Sequence, residues 1–79
     1  MFRRNRNERV KSRIEKRASR LPTDELLGWS ENAVYSTSRN LSAWQRDPQA
    51  AYLEEARLGA EALMAIINTI HERTTHSER

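Results

Sequence analysis

The sequence predicts an all-α protein, an antiparallel helical hairpin preceded by a basic N-terminal helix. The 79 residues include only two Pro and two Gly and contain no alternating run of β-branched residues, so no strand is indicated. Apolar residues recur at helical spacing on both sides of each proline. A chain of this length forms one small domain. We expect a basic helix or arm at 1–21, the hairpin at 22–73 and a frayed tail at 74–79.

Prolines and capping residues set the expected helix limits. Pro22 disfavours the α conformation at the residue before it, so the first helix should end near Arg20. Thr23 is expected to cap the second helix, and Asp47 followed by Pro48 is typical of the start of a third. The predicted helices span about 6–20, 24–45 and 48–72.

The third helix carries a seam of apolar residues at heptad-like spacing. Its members are Leu53, Ala56, Ala60, Leu63, Ile67 and Ile70. A short loop at 46–47 makes the second and third helices antiparallel neighbours, which pairs positions whose numbers sum to about 94. The facing pairs are then Leu41 with Leu53, Thr37 with Ala56, Val34 with Ala60, Ser30 with Leu63, and Leu27 with Ile67. Tyr35 falls near Gly59 in this register, so either its ring packs over the glycine or Gly59 is merely tolerated.

Apolar surface is expected beyond what the hairpin buries. Contiguous exposed apolar surface marks an interface, and the first helix offers a stripe too narrow to cover more than part of it. We therefore predict a homodimer that completes a four-helix bundle. The predicted interface includes Trp29, Leu58, Ala62 and Ile66, with Tyr35 near its edge.

The first twenty residues are strongly basic, with nine Lys or Arg against two Glu, whereas residues 21–79 hold five Arg and nine acids. The cations are Arg3, Arg4, Arg6, Arg9, Lys11, Arg13, Lys16, Arg17 and Arg20. Three interpretations remain open. The favoured one is a structural or partner-facing helix. The second is contact with nucleic acid backbones. Attachment to an anionic membrane surface is less favoured, because Phe2, Val10 and Ile14 make a weak apolar face.

Catalytic and metal-binding patterns are not evident in the sequence. There is no phosphate-binding glycine loop and no Cys. His71 and His76 are five residues apart, whereas two zinc ligands on one face of a helix are three or four residues apart. Glu54 and Glu61 fall on a polar strip with Arg57, which favours a solvated, ion-paired face. We expect no enzymatic activity, cofactor, metal or small-molecule substrate. The longest apolar run, 62–67, is too short to span a bilayer, so a cytoplasmic protein is expected.

The segments DELLGWSENAVYSTSRNLSAWQRD and YLEEARLGAEALMAIINTIHER carry a family resemblance. The matching residues are Leu26, Leu27, Trp29, Leu53, Glu54, Glu55, Leu58 and Gly59. Over about residues 24–72 the chain resembles small, uncharacterised helical-hairpin proteins of actinobacteria and their phages. The resemblance implies a prokaryotic or phage cytoplasmic protein and supplies no activity. The sequence as a whole predicts a small non-enzymatic interaction protein that self-associates or docks onto a larger partner. The alternative is a nucleic-acid-binding accessory protein that uses the basic arm.

Overall fold

The computed structural model describes residues 12–77, with side chains up to Thr75. It contains three α-helices, α1 (Arg13–Arg20), α2 (Thr23–Arg46) and α3 (Ala50–Ser77). No strand occurs in this part of the chain, which confirms the all-α prediction. Residues 1–11, and with them Arg3, Arg4, Arg6, Arg9 and Lys11 of the predicted basic arm, lie outside the described residues.

Helix α1 begins with a capping box. Ser12 has extended backbone angles, φ −72° and ψ 168°, and its hydroxyl accepts a hydrogen bond from the Glu15 amide at 3.2 Å. The Glu15 carboxylate accepts one from the Ser12 amide at 3.0 Å. This reciprocal pair satisfies two amides that a helix start leaves without partners. The predicted continuous helix over 6–20 is therefore wrong at Ser12, where the backbone is not helical.

The connection between α1 and α2 follows the proline. Leu21 is extended, at φ −96° and ψ 146°, so α1 ends at Arg20 as predicted. Thr23 was expected to be the N-cap, but it is the first helical residue and Pro22 occupies the cap position. The Pro22 carbonyl accepts hydrogen bonds from the amides of Glu25 and Leu26, at 3.1 and 3.0 Å.

The loop between α2 and α3 also differs from the prediction. Asp47 does not cap α3; it is the C-cap of α2, because its amide still donates to the Ala43 carbonyl at 2.9 Å. Helix α3 accordingly begins at Ala50, two residues later than expected. Its far end continues to Ser77. The Thr74 and Thr75 hydroxyls there donate to carbonyls one turn back, at 2.9 Å each.

Helices α2 and α3 form the antiparallel hairpin, and their register agrees with the predicted one. A Cβ on Gly59 would meet the Thr37 hydroxyl, and it would lie 3.1 Å from the Ala33 carbonyl oxygen. Residues 33 and 37 lie on either side of position 35, which is the predicted partner of residue 59. Gly59 therefore allows close packing of α3 against α2, and the side chain that packs over it is Thr37, not Tyr35. Tyr35, expected near the glycine, is 64% exposed.

The main core lies at the open end of the hairpin, where all three helices meet. Its fully enclosed residues are Ala18 of α1, Leu26 of α2, and Ala65 and Ile66 of α3. Four partly buried apolar residues surround them, namely Ile14, Leu21, Trp29 and Ile70. Toward the loop, the buried residues between α2 and α3 are the small Ala33 and Ala56. The two halves of the hairpin are thus packed with side chains of different size.

Candidate protein interface

The five predicted interface residues do not share one exposed surface. Ile66 is 1% exposed and Ala62 is 7% exposed, so both are buried within a single chain. Trp29 is half-buried, while Leu58 and Tyr35 are exposed. The expectation that Ala62 and Ile66 are available to a partner was wrong: Ala62 is buried within the chain, and Ile66 packs in one cluster with Ala18 of α1 and Leu26 of α2. A partner contact at Leu58, Tyr35 and the free part of Trp29 stays a prediction.

Trp29 is partly covered by α1. The Arg17 guanidinium lies over its indole ring, 4.4 Å from the ring centroid. Tyr35 has a similar but longer contact with Arg39, at 5.7 Å. A guanidinium over an aromatic face is attracted by the ring quadrupole. Trp29 therefore contributes to holding α1 on the hairpin, a role that its place outside the α2 stripe did not indicate.

A different apolar surface is left open on the hairpin. We name it the layered face, because it consists of three apolar pairs, one above another, on α2 and α3. Its members are Leu27, Val34 and Leu41 of α2, and Leu53, Ala60 and Ile67 of α3. The five large side chains are between 42% and 55% exposed. Residues seven apart lie on the same side of a helix, so each helix contributes one straight row.

The position of the layered face follows from the groove between the two helices. Val34 and Leu41 line this shallow groove together with Leu63 of α3. Ala60 and Ile67 lie one turn on either side of Leu63. Ile67 is also about 200° around α3 from Ala65, a residue of the core beneath α1. The groove part of the layered face is therefore on the side of the hairpin away from α1, while Ala60, at the edge of the face, also lines a cleft with Ser12 and Ile14 at the start of α1.

The groove within the layered face is uncharged. Besides its apolar residues, its lining consists of Thr37, Ser38, Ser42 and Gln45. The Thr37 hydroxyl donates to the Ala33 carbonyl at 2.8 Å, and that of Ser30 nearby donates to the Leu27 carbonyl at 2.7 Å. Hydroxyls bonded to their own helix can be covered by an apolar partner without losing a hydrogen bond. The chemistry of this surface thus suits an apolar partner.

The described part of the basic segment forms a cationic face on α1. Arg13, Lys16, Arg17 and Arg20 are all exposed. Their spacing of three, four and seven residues places them within about 100° of one another around the helix. The apolar residues Ile14, Ala18 and Leu21 occupy another side, which packs against the core. Packing of α1 therefore turns these four cations toward solvent.

Arg73 anchors the turn between α1 and α2 and was not identified from the sequence. Its guanidinium donates to the Leu21 carbonyl at 2.6 Å, to the Thr23 hydroxyl at 3.0 Å and to the Ser19 carbonyl at 3.5 Å. The contacts tie α3 to both helices at the open end. The predicted hairpin register could have indicated this contact, because it places residue 73 near residue 21 when it is continued past Ile67.

The acidic residues, histidines and helices of residues 12–77 can be compared with the needs of a metal site and of a membrane span. No group of three or more His, Asp or Glu is placed there to hold a metal ion. Arg57 pairs with Glu61 at 3.9 Å, and both side chains are well exposed. Within the same residues, none of the helices combines the length and apolar character needed to cross a bilayer.

Comparison with known proteins adds no assignment. No family model, curated protein or solved structure matches the chain. The resemblance to helical-hairpin proteins of actinobacteria and their phages stays a prediction.

Proposed function

We propose that this chain is a small, non-enzymatic helical interaction protein that self-associates or docks onto a larger protein partner. The observation that carries the proposal is the layered face, where five large apolar side chains are about half exposed on one side of the hairpin. Apolar surface of this kind, contiguous across two helices, is typical of protein interfaces.

The energetics favour a covered face. Fully burying a Leu, Ile or Val side chain stabilises by roughly 1.5–3 kcal/mol, so covering the exposed half of each contributes about 1 kcal/mol. Five such side chains together offer about 5 kcal/mol before the entropy of association is subtracted. A small domain has a total stability of similar size. Covering this face is therefore a large effect for a chain of 79 residues.

Site-specific photocrosslinking in cells tests the proposal. A photoreactive residue replaces Val34 in the layered face, and in the control it replaces Asn32, which is exposed about 200° away around α2. We expect protein adducts from position 34 and few from position 32. Adducts of twice the chain mass would indicate self-association, and larger ones a different partner. Equal yields from both positions, or none from position 34, would contradict an interaction through this face.

The cationic face of α1 favours a second candidate function, that of a nucleic-acid-binding accessory protein. Four exposed cations on one side of a short helix, beside a strongly basic N-terminal segment, fit contacts with phosphate backbones. Against this function, the ring of Trp29 is already in contact with Arg17 of the cationic face.

Binding to short duplex DNA and RNA at several salt concentrations tests this alternative. Replacing Arg13, Lys16 and Arg20 by Gln removes three charges and spares Arg17, which contacts Trp29. If all three contact phosphates, the slope of log affinity against log salt for duplex DNA should fall by about 2.7. A wild-type chain that binds neither nucleic acid at low ionic strength would eliminate this function.

A further inference from the structure

We infer that the occupant of the layered face is a second copy of this chain, related by a two-fold axis and completing a four-helix bundle. The inference rests on the proposed function and narrows it to one partner and one surface. Apart from Ala60 at its edge, that surface lies on the opposite side of the hairpin from α1. It therefore differs from the interface that the sequence predicted around Trp29 and Ile66.

The order of side chains along the layered face is the first argument. The end layers pair large residues, Leu27 with Ile67 and Leu41 with Leu53, whereas the central layer pairs Val34 with the small Ala60. Large, small, large is the same sequence from either end. A two-fold axis along the helices places each layer on itself, and one across them places the two end layers on each other. Both arrangements are isologous, because each brings the same surface of the two copies together.

The area of the face is the second argument. From Leu27 to Leu41 the face is about 21 Å long, and two adjacent helices are about 20 Å wide, which gives roughly 420 Å² per copy. Two copies would bury about 840 Å², which is in the range of weak, transient interfaces. A symmetric pair of these faces therefore fits a weak dimer that dissociates on dilution.

Charge is the third argument. The uncharged groove lining offers no counter-ion for a basic or acidic peptide. The chain's own segment 1–11 is a poor occupant, because it carries five cations and one Glu with only three apolar residues. Placing those charges over an apolar groove would remove water from them without a partner. A second layered face brings apolar rows at the same seven-residue spacing.

Sedimentation of the full chain tests the inference. We expect a dimer at about 100 µM that dissociates on dilution. Val34→Glu places charge in the central layer, where the two copies meet, and should weaken the dimer by at least about 100-fold. Because Val34 is half exposed in the single chain, helicity should be kept, which circular dichroism checks. The control Asn32→Glu adds the same charge outside the face and should remain dimeric.

A charge-reversal mixture separates loss of the interface from general damage. Val34→Glu and Val34→Lys chains are each expected to be monomeric, and their mixture should recover a dimer containing one of each. Wild-type chain that stays monomeric at about 100 µM would overturn the inference. So would a Val34→Glu chain that dimerises like the wild type.

The same experiments distinguish failure of the inference from failure of the proposed function. A monomeric wild type that still crosslinks from position 34 to another protein leaves the function standing with a different partner. A dimer that survives Val34→Glu but is lost in Leu58→Glu moves self-association to the predicted surface around Trp29. A monomer without crosslinks from position 34 contradicts both.

Discussion

The open end of the hairpin buries large side chains, whereas the half near the loop buries small ones. At the open end Leu26 and Ile66 are almost fully enclosed, whereas in the loop half Leu41 and Leu53 are about half exposed. The difference is α1, which covers one side of the hairpin at the open end. Two helices alone present too little surface to enclose a Leu or Ile side chain, so large residues are buried where a third helix joins them.

Small residues bring about this difference within the hairpin. Ala33, Ala56 and Gly59 occupy the line between α2 and α3, so the two helices approach closely there. Close approach leaves no room between the axes for a Leu or Val side chain, and the larger residues of each helix lie to the side. The layered face is the result on one flank. A second chain would cover that flank, as α1 covers one side of the open end.

The largest expected effect is at the open end. Ile66→Ala removes a fully enclosed side chain and should lower the free energy of unfolding by about 3 kcal/mol, since a buried Ile→Ala change leaves a cavity. Ile66→Glu should unfold the chain. Leu41→Ala in the loop half is the matched control. Under dilute, monomeric conditions it should lower the free energy of unfolding by less than about 1 kcal/mol. Urea denaturation measures both free energies. Equal losses would show that the loop half buries its large side chains as fully as the open end does.

The second prediction uses the two glycines. A Cβ at Gly59 would contact the Thr37 hydroxyl and the Ala33 carbonyl, so Gly59→Ala should destabilise by about 1–2 kcal/mol despite its better helix propensity. A Cβ at Gly28 would meet nothing within 4 Å. Gly28→Ala should therefore stabilise by about 0.5–1 kcal/mol. Thermal unfolding followed by circular dichroism gives both signs, and stabilisation by both changes would show that the helices are not in close contact at Gly59.

The third prediction concerns the attachment of α1. Arg73→Met removes hydrogen bonds to the Leu21 carbonyl and the Thr23 hydroxyl, and should destabilise by about 1–2 kcal/mol. Amide exchange should quicken most in α1. Arg57→Met is the control, because Arg57 is exposed and its long contact with Glu61 contributes little. Unchanged exchange in α1 after Arg73→Met would mean that apolar packing alone holds this helix.

The smallest expected effect is at the capping box. Ser12→Ala removes the acceptor for the Glu15 amide and should destabilise α1 by about 1 kcal/mol. Ser19→Ala is a control within the same helix, because that hydroxyl donates to the Lys16 carbonyl and leaves the N-terminal amides unaffected. Hydrogen exchange of the first α1 amides distinguishes them. Equal exchange in both variants would show that the box does not fix the start of α1.

The fold was largely predictable from the sequence, because its signals are local. Pro22 marks the end of α1, and the short loop at 46–47 predicts the antiparallel register of α2 and α3. The capping residues were less reliable. Asp47 followed by Pro48 is typical of a helix start, but the Asp47 amide is used to finish α2, and one residue cannot serve as both the last turn of one helix and the first of the next.

The candidate interface was less predictable, because it depends on which side of the hairpin α1 takes. Helical spacing defines the sides of each helix but not how they are shared among three helices. Ile66 and Ala62 were predicted to be available because Val10, Ile14, Ala18 and Leu21 form a narrow and short stripe on the first helix. The burial of Ala18 shows why that stripe suffices: its small side chain lets α1 lie close to Ile66.

Solvent paramagnetic relaxation of methyl groups, measured over a range of protein concentrations, shows which apolar side chains one chain covers by itself and which a second chain covers. The methyl signals of Leu26 and Ile66 should be protected from a soluble paramagnetic probe at every concentration. Those of Leu27, Val34 and Leu41 should be broadened in dilute samples and protected in concentrated ones, where a second chain covers them. Protection of the layered face at the lowest concentration would contradict its exposure in the single chain, because another part of the same chain would then cover it. Broadening that persists at the highest concentration would contradict the second copy.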